Sequence, residues 1–244
     1  MRRVFITGGT GSIGRALLRA FSGAKYEVRF QYYTQVSEAQ SLADATGAVG
    51  NSCDLSSFSA VSEIDLHDVD ILINNAGINI SRSMTAEVKA SDWNQTLAVN
   101  LTAPFLLCRN ALPGMTARRW GRIINISSIY GLRSSEENLP YVVSKHGLCG
   151  LTKTIAREYG AYGITANDIC PGPVDSDLLN RIAIHYEGNK DDEVKEYLRG
   201  ITESIPVGRL AAPEDIAQVA LFIASDAAEY LNGTSLPVDG GMIA

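Results

Sequence analysis

The sequence predicts a doubly wound α/β domain, with a parallel sheet of about seven strands and helices on both faces. Three observations carry that expectation. Short β-branched runs alternate with amphipathic stretches along the chain. Ile71-Leu72-Ile73 and Ile123-Ile124 are apolar without alternation, as strands buried on both faces must be. A glycine-rich bend, Thr7-Gly8-Gly9-Thr10-Gly11-Ser12-Ile13-Gly14, joins the first strand to the first helix.

Taken in order, strands are expected at residues 3–7, 26–32, 47–51, 70–74, 122–127, 164–169 and 235–238. Helices are expected at 13–21, 37–45, 91–116, 140–159 and 213–224. Ser91 is the expected cap of the long helix, with Asp92 favourable in its first turn. Ala212-Pro213-Glu214-Asp215 puts a proline and two acids where a helix begins. Between Asp54 and Asn74 there is space for little more than a stub of helix. Residues 171–206 are rich in charge and weak in pattern, so they read as an insertion over the site rather than as core. Neither a repeat nor a linker marks a second domain. One domain spanning 1–244 is expected, with a substrate-covering lid at about 173–206.

The bulk numbers narrow the function. The 244 residues carry a net charge of −6, which argues against nucleic-acid and anionic-membrane partners. Arg118, Arg119 and Arg122 form one local basic group, either a solvated helix end or a greeting for an anionic substrate or carrier. Cys53, Cys108, Cys149 and Cys170 lack disulfide or zinc spacing, as in a reduced cytosolic protein. The start MRRVFITGG has too short an apolar run for a signal peptide, and no uninterrupted apolar stretch reaches the length of a span. A soluble, cytoplasmic protein is expected. His67, His146 and His185 have no metal spacing and receive no role.

The glycine-rich bend is suited to a pyrophosphate, because backbone N–H groups at a helix start approach an anion only where no Cβ intervenes. At the end of the second strand stand Gln31, Tyr32, Tyr33 and Thr34, without the acid that would bind a ribose 2′-hydroxyl and repel a 2′-phosphate. NADP(H) is therefore expected in preference to NAD(H), although no Arg or Lys stands there to attract the phosphate. Arg15 is either a helper from the first helix or a solvent-facing residue. Further on, Tyr141 and Lys145 lie four positions apart, on one helix face. A phenol near pKa 10 exchanges protons poorly at neutral pH, and a neighbouring ammonium is expected to bring it down.

These residues have company. TGGTGSIG, Asn74-Asn75-Ala76-Gly77, Val99-Asn100, Ile126-Ser127-Ser128, Tyr141/Lys145, Pro171-Gly172 and Val238-Asp239-Gly240-Gly241 occur in one order along the chain. In that order the sequence resembles the single-domain branch of the short-chain dehydrogenase/reductase family, essentially end to end. It looks most like the 3-oxoacyl-(acyl-carrier-protein) reductases, through GRIINISS, YGITAN, IPVGRL and PEDIAQVALFIASD. The resemblance implies a Rossmann-type fold and hydride transfer between a nicotinamide and a carbonyl or alcohol. By the same resemblance, Tyr141 is the acid/base and Lys145 lowers its pKa and holds the nicotinamide ribose. Ser128 binds the substrate oxygen, with Ser127 the rival, since neighbouring strand residues face opposite ways. Asn100 holds a water of the proton relay. The cofactor would be met by Gly8, Gly11, Ser12, Ile13, Gly14, Tyr33, Asp54, Leu55, Asn74, Asn75, Ala76 and Gly77, together with Tyr141, Lys145, Pro171, Gly172 and Val174.

The first turn departs from the branch's usual TGxxxGxG, because Ser12 stands where glycine is usual. A phosphate contact through its hydroxyl would rationalise the exchange. The lid is also longer than in typical ketoacyl reductases, and acidic. Arg119 occupies one position that meets the acidic carrier in that group, while Tyr162 occupies the other. The implied substrate is a small-molecule or carrier-bound carbonyl compound of 3-oxoacyl type. The alternatives are a small polyol, sugar or hydroxy acid, and a non-catalytic dinucleotide sensor. A homotetramer is expected through the two long helices, whose apolar runs 104–107 and 148–151 suit either a partner or the sheet.

Overall fold

The structure, a computed structural model, describes residues 1–80, 82–187 and 191–244. The chain runs β1 (Arg3–Ile6), α1 (Ser12–Gly23), β2 (Glu27–Tyr32), α2 (Val36–Thr46), β3 (Val49–Ser52), α3 (Phe58–Ser62) and β4 (Ile71–Asn74). It continues through α4 (Ala90–Leu97), α5 (Ala103–Arg118), β5 (Gly121–Ile126), α6 (Leu139–Tyr159) and β6 (Ile164–Pro171). Last come α7 (Asp177–Glu187), α8 (Asp191–Glu203), α9 (Pro213–Ala224) and β7 (Ser235–Val238). Among the described residues the seven strands form one sheet in the order β3-β2-β1-β4-β5-β6-β7, and every pair is parallel. This is the Rossmann-type arrangement the sequence predicts. The winding reverses between β1 and β4, and a crevice opens at the carboxyl ends of the strands on either side of such a reversal.

Strand alternation divides the core into two layers. Val4, Ile6, Ile71, Ile73 and Ile124 face α1 and α9, where they meet Leu17, Phe21, Ile216 and Ile223. Phe5, Leu72 and Ile123 face the other way, against Leu106, Leu107 and Met115 of α5 and Ile155 of α6. The central strands β4, β5 and β6 are buried at every position, which explains their unalternating apolar runs. Leu106, Leu107 and Leu148 are spent on this core, whereas Phe105 is 45% exposed.

Three local expectations need correction. Lys89, not Ser91, is the N-cap of α4, and the Ser91 hydroxyl turns instead to Asp92. The single long helix is two, α4 and α5, joined by a π-helical turn at Ala98–Thr102. Residues 171–206, where the sequence assigned no helix, carry α7 and α8, amphipathic helices whose charged outer positions dilute the pattern. The stub between β3 and β4 is as short as expected, five residues of α3. The start of α9 also agrees, with Pro213 in its first turn and the Asp215 carboxylate accepting from the Ala212 amide at 2.8 Å. Among the described residues no helix is long and apolar enough to cross a membrane.

Close backbone packing holds α5 against the loop before β4. A Cβ on Gly114 would stand 1.8 Å from the His67 carbonyl oxygen, which also accepts from Arg118 at 2.7 Å. Gly114→Ala is expected to cost about 1–3 kcal/mol through overpacking. Thermal unfolding should show a midpoint lower by several degrees, and an unchanged midpoint would contradict the contact.

Candidate active site

The glycine-rich bend leaves β1 and is braced on both sides. Its Gly8 amide donates to Gln31 Oε1 at 3.0 Å and its Gly9 amide to the Gln31 carbonyl at 2.9 Å. Asn75 Nδ2 donates to the Thr7 carbonyl at 2.8 Å from the end of β4. Gly8 has φ +66°, and a Cβ on Gly14 would come within 2.1 Å of the Gly8 oxygen, so both glycines are required by the turn. No side chain caps α1, and its first turn holds no acid. Its leading amides are therefore offered to an anion. That donor set fits a dinucleotide pyrophosphate.

Ser12 does something the sequence did not suggest. Its hydroxyl donates to Asp177 Oδ2 at 3.2 Å and accepts from the Asp177 amide at 3.2 Å, tying the bend to the first residue of α7. Arg15 lies 3.5 Å from the same carboxylate and 3.8 Å from Glu38, and it donates to the Thr10 carbonyl at 2.8 Å. The serine's oxygen is thus already engaged by the start of α7.

Across the reversal, the end of β5 and the first turns of α6 build the reactive corner. The Ser128 hydroxyl accepts from the Tyr130 amide at 3.1 Å and lies near enough to the Tyr141 phenol to favour its ionised form. Lys145, one turn along α6, is 3% exposed and places Nζ 5.5 Å from the centre of the Tyr141 ring. Its ammonium donates to the Ile126 carbonyl at 2.8 Å. Ser127 lies close by, but its hydroxyl turns back to the Lys145 carbonyl and Cys149. Tyr130 stands edge-on to Tyr141, 6.5 Å between centres. These residues line a cavity of about 190 Å³, shared with Ile13, Asn75, Gly77, Pro171, Gly172 and Val174.

Burial, the largest influence on Tyr141, pushes its phenol up to about 12. The Ser128 hydroxyl and the Arg82 charge oppose that shift, and Tyr130 adds to it. Burial likewise lowers Lys145 to about 8, against the pull of Cys170, Cys149 and Asp168. The downward influences come from Ser128 and Arg82, while the ammonium is committed to a backbone carbonyl.

The remaining predicted residues divide between cavity and frame. Asn100 is fully buried in the π turn, accepting from the Ile78 amide at 2.8 Å and donating to the Ile78 carbonyl at 2.9 Å and Ser144 Oγ at 3.1 Å. Gly77 sits between it and Lys145, since a Cβ there would be 3.6 Å from Asn100 Oδ1 and 3.5 Å from Lys145 Nζ. Ala76 packs on Gly8, its amide bonded to Thr7 Oγ1. A Cβ on Gly11 would stand 3.4 Å from the Gly8 carbonyl oxygen. Asn74 is misplaced by the sequence reading: its amide donates to Asn125 at 2.8 Å inside the sheet. The side chain of Leu55 belongs to the core, so only its backbone remains for a ligand. Asp54 accepts from Ser56 at 2.8 and 2.7 Å, closing a local turn, and Tyr33 is 58% exposed beyond β2.

Of the basic group, Arg118 pairs with Asp70 at 3.0 Å and Arg122 stacks on Trp120 at 4.3 Å. Arg119 donates to the Ala161 carbonyl at 2.9 Å, at the amino end of β5 and so at the sheet edge opposite the cavity. What the sequence reading missed is the roof: Leu178, Leu179 and Ile182 of α7 and Tyr197 of α8, with Arg82 at the rim. Arg82 carried one signal, a cation five positions after Gly77.

With the geometry in hand, the chain's relatives can be named. The family model described as enoyl-(acyl carrier protein) reductase matches residues 8–243. Acetoacetyl-CoA reductase of Rhizobium meliloti is 35% identical over 246 residues, covering 98% of each chain. The 3-oxoacyl-(acyl-carrier-protein) reductase FabG of Aquifex aeolicus is 33% identical, covering 97% of this chain and 95% of its own. A crystal structure of an actinorhodin polyketide ketoreductase variant with NADPH superposes with a TM-score of 0.92 at 28% identity, covering 99% of this chain and 97% of that one. The chain belongs to the short-chain dehydrogenase/reductase family, as an oxidoreductase that acts between CH–OH and C=O with NAD(P).

Proposed function

We propose that this is a cytoplasmic, NADP(H)-preferring reductase of 3-oxoacyl-type ketones, working reversibly with Tyr141 as its acid/base. The observation that carries the reading is that Ser128, Tyr141 and Lys145 line one cavity, with the Lys145 ammonium 5.5 Å from the centre of the Tyr141 ring. Two donors converge where one carbonyl oxygen fits. In the reducing direction Ser128 and Tyr141 hold that oxygen, and the phenol releases its proton to it as the carbon is reduced. A bound nicotinamide supplies the hydride. The amides at the start of α1 hold the pyrophosphate, and Asn75, Gly77, Pro171, Gly172 and Val174 line the way from that turn to the reactive corner.

Lys145 would hold the ribose of a bound dinucleotide, the proton spent by Tyr141 is replaced from solvent, and Asn100 fixes the Ile78 backbone beside it. α7 and α8 act as the lid. The preference for NADP(H) is supported by the absence of a carboxylate at the end of β2, where residues 31–34 are Gln, Tyr, Tyr and Thr. Exposed Phe105 on α5 supports assembly into a homotetramer.

The test follows NADPH and NADH absorbance over acetoacetyl thioesters, ketoses, diketones and simple ketones. Tyr141→Phe is expected to lose about 10²- to 10⁴-fold in kcat. Comparable rates from the variant would remove the mechanism, and a higher kcat/KM with NADH would remove the cofactor preference.

A pH profile should follow the two shifted groups. Oxidation is expected to climb steadily from pH 7 to 10, because a phenol held at about 12 gives up its proton more readily as pH rises. Reduction should hold level below about pH 8 and fall above it, where Lys145 loses its ammonium. A reduction rate that increases through that range would contradict the assignment.

Asp177→Asn removes a negative charge from the mouth of the pyrophosphate turn and frees Ser12 and Arg15. Dinucleotide binding, read by fluorescence titration, is expected to tighten roughly two- to fivefold. Weaker binding would show that the carboxylate supports the turn instead.

A further inference from the structure

Two cavities meet at Arg82. It borders the catalytic cavity and a neighbouring one of about 210 Å³, whose wall continues through Arg181 and His185 of α7. The Ser83 amide donates to the Glu137 carbonyl at 3.1 Å, which ties this segment to the foot of α6, the helix that carries Tyr141. The Arg82 charge reaches the phenol itself, favouring its ionised form. Among the described residues no Asp or Glu lines either cavity, although the chain has 27 acids against 21 Lys and Arg. The sign of the whole molecule is inverted where the substrate must lie. A guanidinium held at a partly enclosed wall is best matched by a planar anion that accepts two parallel hydrogen bonds. Leu178 and Ile182 border both cavities and give the same space an apolar ceiling, suited to a short carbon chain.

Resting on the reading of this site as a carbonyl reductase, we propose that the substrate bears a carboxylate a few bonds from the reacting carbonyl, and that Arg82 binds it. The substrate class is then a short oxo acid and its matching hydroxy acid. A carboxylate is favoured over a phosphate by position. The anion-binding cation acts on the very residue that handles the carbonyl oxygen, whereas the phosphates of a coenzyme A thioester stand a whole pantetheine arm away from theirs.

Rates with NADPH on acetoacetate, methyl acetoacetate and acetoacetyl-CoA decide the matter, using wild type, Arg82→Gln and Arg82→Lys. Wild type is expected to favour acetoacetate over its ester at least tenfold in kcat/KM. Arg82→Gln should lower that acid-to-ester ratio at least tenfold, chiefly through KM, and Arg82→Lys should keep part of it. Equal use of acid and ester by wild type, or a ratio unmoved by Arg82→Gln, overturns the proposal. A preference for acetoacetyl-CoA that depends on Arg82 overturns it in favour of a phosphate.

Calorimetry with butyrate and butyramide on the NADP⁺-loaded protein needs no turnover. Butyrate should bind at least tenfold more weakly to Arg82→Gln, and indistinguishable binding of the acid and the amide to wild type refutes the site. If butyrate binds through Arg82 but no ketone is reduced, the carboxylate site stands and the reductase reading falls. If ketones are reduced in a Tyr141-dependent way without preference for acids, the carboxylate site alone falls.

Discussion

The corner where β5 meets α6 depends on a charge carried indoors. Lys145 is almost wholly buried, and an ammonium removed from water is costly unless it is solvated by something else. Here the Ile126 carbonyl takes that part, at 2.8 Å. This bond fixes the end of β5 against α6, and with it the step from Ser127, whose hydroxyl turns back to Lys145 and Cys149, to Ser128 on the cavity beside Tyr141. The same crowding explains Gly77, whose missing side chain leaves room beside both Lys145 Nζ and Asn100. Serine, tyrosine and asparagine are thus held in place around one desolvated cation.

Behind that corner a file of polar groups crosses the core. Asn74 donates to Asn125, Asn125 to Thr152 at 2.7 Å, and Thr152 to Asp168 at 2.5 Å, which also accepts from Ser235 at 2.8 Å. The chain of bonds runs from β4 through β5, α6 and β6 to β7, and each member would be an expensive defect if its neighbour were removed. Burial raises Asp168 to about 7. Since its folded-state value is raised, protonated Asp168 is favoured in the fold up to that range, and the carboxylate's contribution weakens as pH climbs through it.

The fold was legible because its signals are local and redundant. Buried parallel strands must be apolar on both faces, a pyrophosphate turn must be glycine-rich, and a tyrosine and lysine four apart must share a helix face. Ser128 could be separated from Ser127 only as a matter of parity; which parity applied was supplied by resemblance. What stayed hidden depends on contacts distant in sequence. Nothing near Ser12 announces that its hydroxyl meets Asp177, 165 positions later. Helices α7 and α8 were obscured because their apolar faces are narrow and their outer faces charged. Arg82 belongs to the cavity wall only through residues of β5, α6, α7 and α8, all distant from it in sequence.

The π turn at Ala98–Thr102 has a consequence for how this enzyme can vary. A π turn is a regular helix with one residue too many, and that extra residue rotates everything after it by about 100°. Asn100 faces Ile78 and Ser144 only because the surplus is present. Trimming a single position from this stretch would give a straighter and more ordinary helix, and would swing the asparagine away from the backbone it clamps. Length here constrains the site as firmly as any side chain.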